Sequence, residues 1–154
     1  MERYDPEGWE GRSPTGDFLW HVSSTLVMSE RAVEALSDLL EEYGEVLPLA
    51  DSEGMPLYAW NVTRVIDALD EAHCVVDRFP ASGRIMYIWE HVFFEERVRG
   101  VDAFRLPPDI SRSIYVGDGF VARVRAAGLQ GLKFESCWSA EGGPVRREFW
   151  ATGV

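Results

Sequence analysis

Apolar and polar positions alternate most clearly between Ser29 and Gly44. Val33, Leu36, Leu40 and Tyr43 recur at helical spacing and form one apolar stripe. Ser29 stands where an N-cap belongs, and Glu30 lies in the first turn, where the helix dipole favours an anion. Gly44 stands where a C′ glycine would end the helix. Runs of β-branched and aromatic residues predict strands at 17–22, 25–28, 46–49, 57–62, 84–94, 101–106 and 114–116, with Pro107-Pro108 stopping the sixth. A second helix is expected from Asp118, its cap, through Ala127. Phe120, Val121 and Val124 form its apolar face and Gly128 ends it. A short helix is expected over 64–69 behind Thr63, and strands at 131–136 and 145–151 close the chain. Residues 1–16 are broken by Gly and Pro and predict an irregular lead-in, which leaves 17–154 as one domain. Many strands with two or three helices, in no regular βαβ alternation, predict a single-domain α+β fold. Its sheet should be mostly antiparallel or mixed, packed with those helices.

Composition supports a packed core. The 154 residues are 46% hydrophobic and include six Trp, eight Phe and five Tyr. No apolar run is long enough to span a bilayer, and the polar, acidic start has no signal-peptide core. A cytoplasmic protein without a membrane partner is therefore expected. Cys74 and Cys137 lie far apart in sequence. A reduced pair is the reading, with one disulfide as the alternative.

Charge changes the picture further. Residues 1–80 carry 17 Asp/Glu against five Arg and no Lys, whereas residues 81–154 carry nine Asp/Glu against ten Arg/Lys. The whole net charge of −11 thus belongs to the first half. On the first helix and just beyond it, Glu30, Glu34, Asp38, Glu41, Glu42 and Glu45 fall in a sector of roughly 120°. No Lys or Arg stands four residues on from any of them. Like charges at that spacing cost a few tenths of a kcal/mol, by rough measure, per pair. The plain reading is a solvated face that aids solubility. The sharper one is a surface that meets a basic partner, with Glu34, Asp38, Glu41, Glu42 and Glu45 making the contact. Direct binding of nucleic acid or anionic lipid does not suit this charge.

Chemistry motifs are sparse. His21, His73 and His91 have no metal-like spacing, and no paired Cys motif, phosphate loop, nucleophile elbow or dinucleotide fingerprint occurs. Gly117-Asp118-Gly119 ahead of a helix is a weak anion-site signal whose simpler reading is a turn and cap. No catalytic residue, metal or cofactor is expected.

Several segments carry a resemblance. They are Ser29-Glu30-Arg31 through Leu36-Ser37-Asp38-Leu39-Leu40, then Tyr43-Gly44-Glu45-Val46-Leu47-Pro48-Leu49. Asn61-Val62-Thr63-Arg64-Val65-Ile66-Asp67-Ala68-Leu69 and Ala127-Gly128-Leu129-Gln130-Gly131-Leu132-Lys133-Phe134 follow, and are the most specific. In order and spacing these resemble the myxobacterial-type immunity-protein domain family of bacterial polymorphic toxin systems, formerly a domain of unknown function. The resemblance covers residues 17–138. It implies a protein that neutralises a toxin encoded beside it, many such toxins being nucleases, and it carries no catalytic residues across; no enzymatic activity is expected. Combined with the acidic face, the expectation is stoichiometric occlusion of a basic toxin surface. Two alternatives stay open: a small enzyme that reverses toxin damage through carboxylates or His91, and a regulatory or scaffold module using a sheet edge.

Overall fold

The computed structural model describes residues 2–4, 16–22, 25–49 and 54–146. They begin with β1 (Glu2–Tyr4), β2 (Phe18–Val22), β3 (Thr25–Ser29), α1 (Glu30–Tyr43), β4 (Gly44–Leu49) and β5 (Leu57–Val62). A hairpin of β6 (Val75–Arg78) and β7 (Ile85–Glu90) follows, then the one-turn helix α2 (Glu95–Val98). The last third supplies β8 (Ala103–Arg105), β9 (Ile114–Val116), α3 (Asp118–Ala126) and β10 (Phe134–Ser136). The small pair β11 (Trp138–Ser139) and β12 (Gly143–Pro144) completes the described elements. The two larger sheets are antiparallel, in the orders β2-β3-β5-β4 and β10-β1-β9-β8. The fold is α+β, as the mixture of periods predicts.

Alternation along the strands divides the interior in two. Leu26, Met28, Trp60 and Val62 face α1, whose Ala32, Leu36, Leu39, Leu40 and Tyr43 are buried. Phe120, Val121 and Val124 of α3 join that core, with Phe120 stacked 5.6 Å from Trp60. On β8 and β9, Ala103, Ile114 and Val116 face the same core, while Phe104 and Tyr115 face the other way. There they meet Phe93, Leu106 and Trp138 in a second, aromatic core. The β8–β9 pair is thus the wall between the two.

One buried carboxylate ties the ends of the first core together. Asp17 is 6% exposed. Its Oδ1 accepts from Ser29 Oγ at 3.0 Å. Its Oδ2 accepts from Arg31 Nη1 at 2.9 Å and from the Gln130 amide at 3.0 Å. Its main chain pairs with Gln130 and Ser29 as well. Ser29 also accepts from Ala32 N–H, so the expected N-cap is present. Arg31 extends past Asp17 to the Ala127 carbonyl at 2.8 Å, placing a cation on the negative end of α3.

Several expectations meet corrections. Gly44 follows α1, but its φ of −171° is ordinary extended backbone and not the left-handed cap. A glycine fits there because a Cβ would collide with the Asn61 carbonyl and come within 2.8 Å of the Trp60 indole nitrogen. That nitrogen donates to the Leu40 carbonyl at 3.0 Å and occupies the space. Gly128 does end α3 with a φ of 62°. Gly117, which has no side chain to cap with, holds the cap position expected of Asp118. Residues 64–69 are not helical. Ile66 N–H donates to the Arg105 carbonyl and Arg105 N–H to the Arg64 carbonyl, so a neighbouring strand takes the groups a helix would use. Residues 2–4 of the expected lead-in form β1, between β9 and β10. The strand expected over 84–94 stops at Glu90. Val145 and Arg146 lie outside any strand, and residues 147–151 are outside the described residues.

Removing the Asp17 carboxylate leaves the Arg31 guanidinium, the Ser29 hydroxyl and the Gln130 amide without their shared acceptor. Asp17→Ala is expected to lose about 2–4 kcal/mol of unfolding free energy, mainly through the lost hydrogen bonds, since Arg31 stays largely in water. Asp17→Asn, which keeps shape but not charge, is expected to fall between Ala and the parent. Urea unfolding followed by Trp fluorescence checks the order.

Candidate partner-binding surface

The helix that buries Leu36, Leu39 and Leu40 must turn its other side to water. That side carries Glu34, Asp38, Glu41 and Glu42, all exposed. Glu45 is exposed too, but the helix ends at Tyr43 and Glu45 belongs to β4. There its Oε1 accepts from Asn61 Nδ2 of the adjoining strand at 2.9 Å. The five residues therefore form a ridge that passes from helix to sheet at Gly44.

The chain neutralises part of this ridge itself. Arg123 of α3 grips Asp38 with both ends of its guanidinium, at 2.7 and 3.0 Å, and donates to the Ala35 carbonyl at 3.1 Å. The two residues are 85 positions apart, so no i+4 inspection of the helix could find the pair. The Arg123 hydrogen bond, aided by its charge, lowers the Asp38 carboxyl from 3.8 to about 2. Asp38 has two-thirds of its side chain in water, so solvent screens the pair and it orders the helices more than it stabilises them. Glu34, Glu41 and Glu42 form no ion pair among the described residues. With Glu45, whose partner Asn61 is neutral, they are the part of the face that no cation answers among the described residues. Beside it, Tyr43 is buried, and burial first and the Glu42 and Asp102 charges next push its hydroxyl pKa upward.

The weak anion signal at Gly117-Asp118-Gly119 has an internal explanation. A Cβ on Gly119 would collide with the Asp102 carboxylate, and one on Gly117 would come within 3.3 Å of it. The start of α3 is occupied by the protein's own anion.

The other chemistry-bearing residues are placed without a common centre. His91 is fully buried, 3.0 Å from Tyr115 Oη and stacked on Phe93. That position closes it to a substrate arriving from solvent. His73 is exposed and pairs with Asp70 at 2.7 Å. The side chain of His21 lies outside the described residues. Cys74 and Cys137 are not joined by a disulfide. Cys74 exchanges hydrogen bonds with the Val92 main chain, and burial raises its thiol pKa. Among the described residues, no three His, Cys, Asp or Glu gather as metal ligands. No described helix is long and apolar enough to cross a membrane.

Fold and surface together define an α+β domain with an acidic helical ridge. The chain belongs to the Imm11 immunity protein family, whose profile matches residues 2–139. An immunity role follows, and with it a toxin as the binding partner. A comparison with the curated proteins finds no match. The family match begins at residue 2 and takes in β1, which the resemblance over 17–138 left out.

A carboxylate whose folded pKa is lowered contributes stability above its unfolded pKa. It loses that contribution as pH falls through the folded value. For Asp38 the window runs from 3.8 down to about 2. The stability the Asp38–Arg123 pair contributes is therefore expected to be constant above pH about 4 and to fall away between 3.8 and about 2, the pair itself staying closed until the carboxyl protonates near 2. Carbon NMR of the Asp38 carboxyl should titrate near 2 in the parent and return toward 3.8 in Arg123→Ala.

Proposed function

We propose that the protein neutralises a cognate toxin by stoichiometric binding, without chemistry. Its acidic ridge covers or competes for the basic surface the toxin uses on its own substrate, as a nucleic-acid-cleaving toxin would present. The observation that carries this reading is the row of exposed carboxylates Glu34, Glu41 and Glu42, which form no ion pair among the described residues. Asp38, held by Arg123, sets the ridge against α3, and Glu45 prolongs it onto the sheet. Such a face steers a cation-rich partner by long-range attraction, which acts mainly on the association rate and weakens with salt. The cytoplasm, where such a toxin would meet its substrate, is the proposed site of action. The enzyme reading loses its most specific residue with the burial of His91.

The test is association with the toxic product of the reading frame beside the gene. Glu34→Gln/Glu41→Gln/Glu42→Gln is expected to associate about tenfold more slowly at low salt, with a much flatter dependence on ionic strength. Stopped-flow fluorescence measures both. Equal rates and equal salt slopes for variant and parent would remove the ridge from the contact.

A further inference from the structure

Strand β4 ends its sheet, and its outer edge is paired with no other strand among the described residues. Thr63 N–H donates to the Tyr43 carbonyl at 3.0 Å, which fixes the hydrogen-bonding phase of β4 against β5. By alternation, the main-chain groups of Glu45, Leu47 and Leu49 face β5, and those of Gly44, Val46 and Pro48 face away. Gly44 N–H turns back to the Leu40 carbonyl, and Pro48 has no N–H. The Val46 N–H is thus the donor left on an edge rich in carbonyls. Val46 packs inward on the first core, so Leu47 and Leu49 stand on the opposite face, 45% and 38% exposed.

Pro48 and Glu45 are devices that keep an edge from indiscriminate pairing. Two neighbouring exposed leucines between and beyond them do not serve that end. They form an apolar strip, with Glu41, Glu42 and Glu45 at the end where the helix enters the strand. From this juxtaposition we infer that β4 is a docking edge for an extended segment of the toxin that carries Lys or Arg at one end and, on the same face, apolar side chains at every second position beyond it. The cations answer the carboxylates, the apolar residues cover Leu47 and Leu49, and the segment's donors meet the edge carbonyls. A second copy of this chain fits poorly. Its edge is equally short of donors, and pairing would bring two acidic ridges together.

This inference rests on the proposed toxin-binding function, and the experiment separates the two. The probe is again the product of the adjacent reading frame, with affinity measured by calorimetry. Leu47→Ser/Leu49→Ser alters only exposed side chains, so melting should match the parent. Affinity is expected to fall at least fivefold with the ionic-strength slope of association unchanged, and Leu47→Lys/Leu49→Lys should weaken it further. A loss smaller than fivefold in the Ser variant, with the parent binding, overturns the docking edge and leaves the function standing. A parent that does not bind overturns both. Sedimentation of the parent alone as a dimer that the Ser variant dissolves would give the edge to a second copy and also overturn the inference.

Discussion

The constraint on which the arrangement rests is the buried carboxylate of Asp17. A charge taken from water is tolerated only where enough donors replace the hydration it loses. Here a hydroxyl, a guanidinium and a main-chain amide converge on it, from the start of the helix and from the segment after α3. Because Gln130 lies 113 positions from Asp17 along the chain, satisfying that one group fixes how both ends of the first core meet. Arg31 then reaches on to the end of α3, and Arg123 returns from α3 to Asp38. Two arginine links in opposite directions hold the helices side by side.

The lopsided charge of the sequence does not mark two separate bodies: β1 of the acidic half pairs with β9 and β10, and Arg123 of the nearly neutral half answers Asp38 of the acidic one. Glu34, Glu41, Glu42 and Glu45, which no cation answers among the described residues, face water at some cost in mutual repulsion. On the proposed function, a toxin partner with a basic surface would relieve that cost.

The sequence made the local elements legible because their signals are local. The Ser29 cap, the α1 stripe, the buried face of α3 and the left-handed Gly128 all follow from spacing within a few residues. The errors occur where a distant segment decides. Residues 64–69 carry helical spacing, but Arg105 captures their backbone groups. Gly44 is required by the Trp60 indole arriving from another strand, and β1 is three residues long with no pattern of its own. The same division applies to the surface. Its carboxylates could be named from the helical wheel, whereas the Arg123 clamp on Asp38 could not. The strand edge did leave a readable trace: Pro48 inside a run of strand formers marks an edge position.

The account holds that the protein acts by occupation and not by turnover. Titrating a fixed amount of the toxin with this protein, and reading residual toxin activity, tests that most directly. The account predicts a linear loss that reaches zero at a fixed whole-number ratio, independent of incubation time. Complete loss at a small fraction of the toxin's molar amount, deepening with time, would contradict it.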